Sequence, residues 1–193
     1  MNRVPANWSA VAHASLKTLA PWFADLLLRV EQLKAWSESL ETPVSVWVSG
    51  LFNPMAYVTA VLQTTARSQN LPLDLMEVWT DVTVELDHGK FESYPEDGMY
   101  IHGLCMEGAQ WDGKKNVIAD SAPKELHPPM PVIKISGVLY DKVDKTGIFD
   151  CPVFTITTRG TAFTFVATLR TTDPVNKWTL AGVALMMSDD IAA

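Results

Sequence analysis

The apolar residues of this chain change their spacing once, near Pro72, and that switch narrows the possible folds more than any other feature. Upstream, Leu19, Phe23, Leu26, Val30, Leu33 and Trp36 step by fours and threes, the spacing of one helix face. Pro21 falls near the first turn, where a missing N–H costs little. Asp25, Arg29, Lys34 and Glu38 fall off that stripe, and the helix is expected to stop before Pro43. A second helix is expected to open at Asn53-Pro54, with Asn53 as its cap, and to run to about Arg67. Met55, Val58, Leu62 and Ala66 would share its buried face. Pattern alone leaves residues 46–52 open between strand, helix and loop.

Downstream the period drops to two. Val78, Val82, Val84 and Leu86 lie on alternate residues, as in a half-buried strand. Further β-like runs cover residues 98–107, 132–140, 153–158, 161–169 and 178–187, with Arg159-Gly160 as a hairpin turn between two of them. Phe163, Phe165, Ala167 and Leu169 would face one side, Thr164 and Thr168 the other. The fold class expected is α+β: N-terminal helices followed by a small antiparallel β-barrel of about six strands, closed or nearly so. A helical region over residues 1–70 and a barrel region over 71–193 would together form one domain.

Charge limits the partners. The 193 residues carry a net charge of −7 and no basic run longer than Lys114-Lys115, so nucleic acid and anionic membranes would be repelled. Residues 42–66 carry no charge and are long enough for a membrane span, yet Pro43, Ser49, Gly50, Asn53, Pro54 and Gln63 interrupt them. A buried core segment is the expected reading. The first ten residues lack the basic and apolar regions of a secretory leader, so Asn7-Trp8-Ser9 is not expected to be glycosylated. Cys105 and Cys151 sit in apolar, β-like runs and read as buried reduced thiols of an intracellular protein. Seven tryptophans could fill a core or anchor a partner; Trp8, Trp111 and Trp178 in turn-flanked positions fit either role.

Tests for chemistry return little. Residues 108–115 nearly spell the phosphate loop G-x-x-x-x-G-K-[ST], but Lys115 replaces the Mg²⁺-binding hydroxyl and no helical stripe follows. His13, His88, His102 and His127 lie on separate elements without metal-ligand spacing. The acids Glu92, Glu96 and Asp97, and the pair Asp189-Asp190, stand in polar stretches where solvation is the ordinary state. No catalytic, cofactor-binding or metal-ligating residue is expected.

Particular words of the sequence then carry a resemblance. Val46-Trp47-Val48-Ser49-Gly50-Leu51-Phe52-Asn53-Pro54, Leu62-Gln63 and Ala66-Arg67, and Leu71-Pro72-Leu73-Asp74 resemble successive blocks of the C-terminal domain of dynein heavy chains. So do Gly98-Met99-Tyr100-Ile101-His102-Gly103-Leu104 with Met106-Glu107-Gly108-Ala109-Gln110-Trp111-Asp112, then Met130-Pro131-Val132-Ile133, Cys151-Pro152-Val153-Phe154, Lys177-Trp178 and Gly182-Val183-Ala184-Leu185. The blocks run in order from about Ser15 to Leu185, and the Asn53-Pro54 variant looks most like axonemal, outer-arm chains. Departures are Gln110, where the family usually carries Arg, and Cys105, where it usually carries Phe.

The resemblance implies helices followed by a small barrel, lying across one face of an AAA+ ring of the same heavy chain. The implied role is structural and regulatory, without a nucleotide site. Within the whole motor the partners would be microtubules and other dynein chains, and the location a ciliary or flagellar axoneme. Phe23, Leu26, Trp47, Trp111 and Trp178 are the residues assigned to partner docking. The alternatives kept are a stand-alone barrel that binds a small ligand and, with least support, an enzyme with a dispersed site.

Overall fold

The structure is a computed structural model that describes residues 4–13, 15–155, 159 and 163–187. One helical turn, α1 (Ala6–Ser9), and a connector lead into the long helix α2 (Leu19–Ser39). Leu40 turns left-handed (φ 57°) and ends α2 before Pro43. The open stretch that follows is a short strand, β1 (Ser45–Trp47), and one 3₁₀ turn over Val48–Gly50.

Helix α3 (Pro54–Gln69) begins as its sequence requires. The Asn53 side chain accepts from the Ala56 N–H at 3.0 Å, Pro54 fills the first helical position, and Asn70 (φ 52°) closes the far end. Its buried face is rotated from the expected one: Val58, Val61, Thr65 and Ala66 are buried, Leu62 is half-buried and Met55 is exposed. The reason lies underneath, where an added Cβ at Gly137 would come within 2.6 Å of Met76 Cε and 3.1 Å of Leu62 Cδ2. The bare strand position there lets α3 settle close to the sheet.

The remaining elements are β2 (Met76–Val82), β3 (Met99–His102), β4 (Leu104–Glu107), β5 (Gln110–Asp112), β6 (Val117–Ala119), β7 (Ile133–Leu139), β8 (Ile148–Phe154), β9 (Phe165–Arg170), α4 (Val175–Ala181) and β10 (Ala184–Met187). They form two open four-stranded sheets, β1-β3-β7-β2 and β4-β10-β8-β9, with β5 and β6 as a separate two-stranded hairpin. The expected closed antiparallel barrel is therefore corrected on two points. Among the described residues no continuous ladder runs around the strands, and β1–β3 and β8–β10 pair in parallel.

Two devices join the sheets. Strand β3 passes into β4 through Gly103 (φ 87°), where any Cβ would overlap the Trp47 indole. At the other margin β2 lies beside β9, and paired threonines bridge them. Thr80 N–H donates to Thr168 Oγ1 and Thr168 N–H to Thr80 Oγ1, both at 2.8 Å. The Thr80 hydroxyl in turn donates to the Thr168 carbonyl at 2.8 Å. One apolar cluster then runs from Val58 and Val61 of α3 through Ile101, Ile133 and Ile135 to Leu169 and Leu185.

Two further expectations are corrected. The first long strand ends at Val82, leaving Val84 and Leu86 exposed. The run 178–187 is not all strand: α4 starts after Pro174, Gly182 (φ 67°) ends it, and only β10 is extended. The proposed turn at Arg159-Gly160 lies partly outside the described residues, although β8 and β9 do pair antiparallel.

Candidate functional site

Helix α2 has two unlike faces, and the polar one points inward. Trp22, Asp25 and Arg29 are buried, although the sequence period placed both charges off the buried stripe. The segment before the helix explains this. It folds back over α2 so that His13 stacks on Trp22, with ring centroids 5.1 Å apart and 8° between planes. His13 Nε2 then stands 2.7 Å from Asp25 Oδ2. Arg29 Nε donates to the same oxygen at 2.6 Å, and Lys17 Nζ approaches Oδ1 at 3.8 Å.

Arg29 also reaches the domain below, with Nη1 3.5 Å from the Leu51 carbonyl and its guanidinium 5.5 Å from the centre of the Trp47 ring. One turn on, Gln32 imitates a strand neighbour. Its Oε1 accepts from Trp47 N–H at 3.0 Å and its Nε2 donates to Trp47 O at 3.2 Å. Charge-assisted and paired bonds of this kind hold α2 in register where apolar contact alone would let it slide.

The outer face is apolar. Phe23, Leu27 and Val30, at positions i, i+4 and i+7, keep 46%, 54% and 49% of their surface exposed. Leu16, Leu28, Trp8 and Val11 are also exposed nearby in sequence. A run of large apolar side chains on one helix face departs from the scattered singles of an ordinary surface.

The five residues assigned to docking are thus divided by the structure. Phe23 is exposed and Leu26 half-buried, both on α2. Trp111 on β5 is half-buried against the main core. Trp47 and Trp178 are corrected to core residues, with 4% and 1% of their surface exposed. Trp47 is wedged between Arg29 and the bare backbone of Gly50 and Gly103. Trp178 donates from Nε1 to Thr171 Oγ1 at 2.6 Å. Sequence reasoning missed Leu27, whose signal was available in the Phe23, Leu27, Val30 spacing.

The near-miss phosphate loop is the turn of the β5–β6 hairpin. Asp112 Oδ1 accepts from the Lys114 and Lys115 N–H groups at 3.0 and 3.2 Å, so a carboxylate already occupies those donors. Two histidines expected to be scattered do meet: His88 and His102 stack with centroids 3.9 Å apart. Burial, and then the neighbouring His88, pushes the His102 ring down to about 4. Cys105 and Cys151 are buried free thiols, and burial pushes Cys151 up to about 12. Among the described residues no group of three or more His, Cys, Asp or Glu is placed to hold a metal ion. No described helix is long and apolar enough to cross a membrane.

Two helices bracing a pair of open sheets, with an uncovered apolar helix face, define a docking domain of α+β class. The chain belongs to the family of dynein heavy-chain domains found at the C-terminus, whose model matches residues 1–187. It is 43% identical over 97% of its length to the ciliary dynein beta chain of Heliocidaris crassispina. It is 42% identical over 99% to the flagellar outer-arm dynein alpha chain of Chlamydomonas reinhardtii, and 42% over 95% to human dynein axonemal heavy chain 9. The chain spans about 4% of the length of each of these relatives.

Proposed function

We propose that this chain is the C-terminal bracing domain of an axonemal dynein heavy chain of outer-arm type. In this reading it lies on the AAA+ ring of the same polypeptide and modulates how ATP hydrolysis in the ring is coupled to movement along microtubules. The observation that carries the reading is the outer face of α2. Phe23, Leu27 and Val30 are exposed on a helix whose opposite face is tied down by an ion cluster and by Gln32. Such a face is stable in water only at a cost, on the order of 25 cal/mol per Å² of apolar surface, which a neighbouring module would remove. Regulation through this surface requires contacts that differ between states of the ring. The ciliary and flagellar relatives support an axonemal location for the parent motor.

The test supplies the domain in trans to a heavy chain truncated before it. The unaltered chain should co-purify with the truncated motor. Phe23→Glu with Leu27→Glu should weaken that association by at least about tenfold, the equivalent of ~1.4 kcal/mol. The melting temperature of the double variant should stay near that of the parent chain, because both side chains are already exposed. Undiminished association would remove α2 from the interface. An antibody band near 21.3 kDa in cells, instead of one at heavy-chain size, would restore the stand-alone ligand-binding alternative.

A further inference from the structure

A second surface is built differently. Between the C-terminal turn of α2, the outer side of α3 and the loop before β3 lies a cleft of about 540 Å³. Trp36 and Tyr57 form one wall, their rings meeting edge to face with centroids 5.9 Å apart. Pro95 and Met99 close the opposite side, and Glu96 and Asp97 stand at the mouth. No lysine or arginine lines it, and neither acid forms an ion pair among the described residues. Thr65 Oγ1, at 3.4 Å from Asp97 Oδ1, is the one side-chain hydrogen-bond partner of that carboxylate among the described residues. The Tyr57 hydroxyl is buried with no hydrogen-bond partner among the described residues, and burial keeps it a neutral phenol.

We propose that this cleft receives an arginine side chain presented by a peptide segment of a partner protein, separately from docking through the outer face of α2. Three features select that occupant. Aromatic walls attract a cation to their faces, and a planar guanidinium stacks there more readily than an ammonium. Two carboxylates at the mouth suit its forked donors, and the pairing is charge-assisted. An anion would be repelled by Glu96 and Asp97. A purely apolar side chain would strip water from both acids and return no bond. The volume exceeds what one side chain fills, which leaves room for the apolar neighbours of the arginine on its own polypeptide. A segment of polypeptide therefore fits better than a free small cation.

The test titrates the 193-residue chain, ¹⁵N-labelled, with the blocked tripeptide acetyl-Leu-Arg-Leu-amide. Amide shifts should concentrate in residues 57–68 and 95–99, and affinity should fall as salt is raised from about 50 to about 300 mM. Glu96→Gln and Asp97→Asn together should weaken binding at least about tenfold. Ala60→Trp, at an exposed α3 position, should fill the cleft and abolish binding while circular dichroism confirms an intact fold. Equal binding of the Leu-Gln-Leu or Leu-Glu-Leu analogue would overturn the proposal, as would shifts centred elsewhere or insensitivity to Ala60→Trp. Acetyl-arginine-amide binding as tightly as the tripeptide would overturn the assignment to a polypeptide partner.

Discussion

Replacing Asp25 by alanine removes the carboxylate on which a buried cluster of His13, Lys17 and Arg29 converges. Asp25, His13 and Arg29 side chains are 1%, 4% and 4% exposed, so water cannot substitute for the lost carboxylate. Two short contacts end on the same oxygen, at 2.7 Å from His13 and 2.6 Å from Arg29. Breaking a buried pair by deleting one partner costs ~3–5 kcal/mol, mostly because the surviving charge stays buried without that partner. For a chain of this size 1 kcal/mol moves the melting temperature by ~2–4 °C, so Asp25→Ala should melt about 6–20 °C lower. Thermal unfolding followed by tryptophan fluorescence reads this, since Trp22 and Trp47 border the cluster. The pair Lys34–Glu38, with side chains 70% and 67% exposed, is the contrast: Lys34→Ala should change stability by less than ~0.5 kcal/mol. A compensating variant, Asp25→Leu with Arg29→Met, should recover most of the loss, because apolar replacement of a whole buried pair is commonly neutral. If Asp25→Ala stays within ~0.5 kcal/mol of the parent, the cluster does not depend on that carboxylate and the reasoning fails.

Three other perturbations follow from single contacts. Thr80→Val should cost ~1–3 kcal/mol in urea denaturation, because the Thr168 N–H loses its acceptor inside the seam between sheets, and Thr80→Ser should restore it. Gly98→Ala should prevent a stable fold: φ is +75° there, and an added Cβ would overlap the Ile135 carbonyl oxygen of the neighbouring strand. His102 titrates at about 4 when folded against an ordinary 6.5, so between those values only the unfolded chain holds the proton. Stability is fully present above pH 6.5 and falls on acidification toward pH 4. The loss should be on the order of 2–3 kcal/mol, since the ring is partly reached by solvent. His102→Phe should flatten the difference between stabilities measured at about pH 7 and about pH 4.5 by most of that amount, and an unchanged slope would show that His102 is not the responsible group.

The parts of the fold that local chemistry specifies were legible. The Asn53 cap, the Pro54 start, the stop before Pro43 and the buried alternation of Phe165, Ala167 and Leu169 all depend on residues close in sequence. What pattern could not supply depends on partners far along the chain. Strand β1 pairs in parallel with β3, a distant segment, as Ser45 with Tyr100 and Trp47 with His102. Trp178 looks like a strand residue by type, yet Pro174 and Gly182 bracket it into a helical turn whose indole finds Thr171. Barrel closure was over-read for a related reason. Alternation says that a strand has two faces, but not whether its edge finds a ladder, and β2 meets β9 through threonine hydroxyls instead.

The reversal of α2 is the most instructive failure, because the same residues support both readings. A stripe of Leu19, Phe23, Leu26, Val30, Leu33 and Trp36 is apolar, and apolar stripes are ordinarily buried. In the structure Leu26, Leu33 and Trp36 are half-buried, while Phe23 and Val30 face outward. Asp25 and Arg29 take the inward positions because His13, the Leu51 carbonyl and the Trp47 ring supply the partners that burial demands. A helix can place charges inside and leucines outside only if both faces are to be covered. The inner face is covered within the domain by named bonds. The outer face, Phe23, Leu27 and Val30, has no such cover among the described residues, and that asymmetry is what a domain carried within a far longer polypeptide would need.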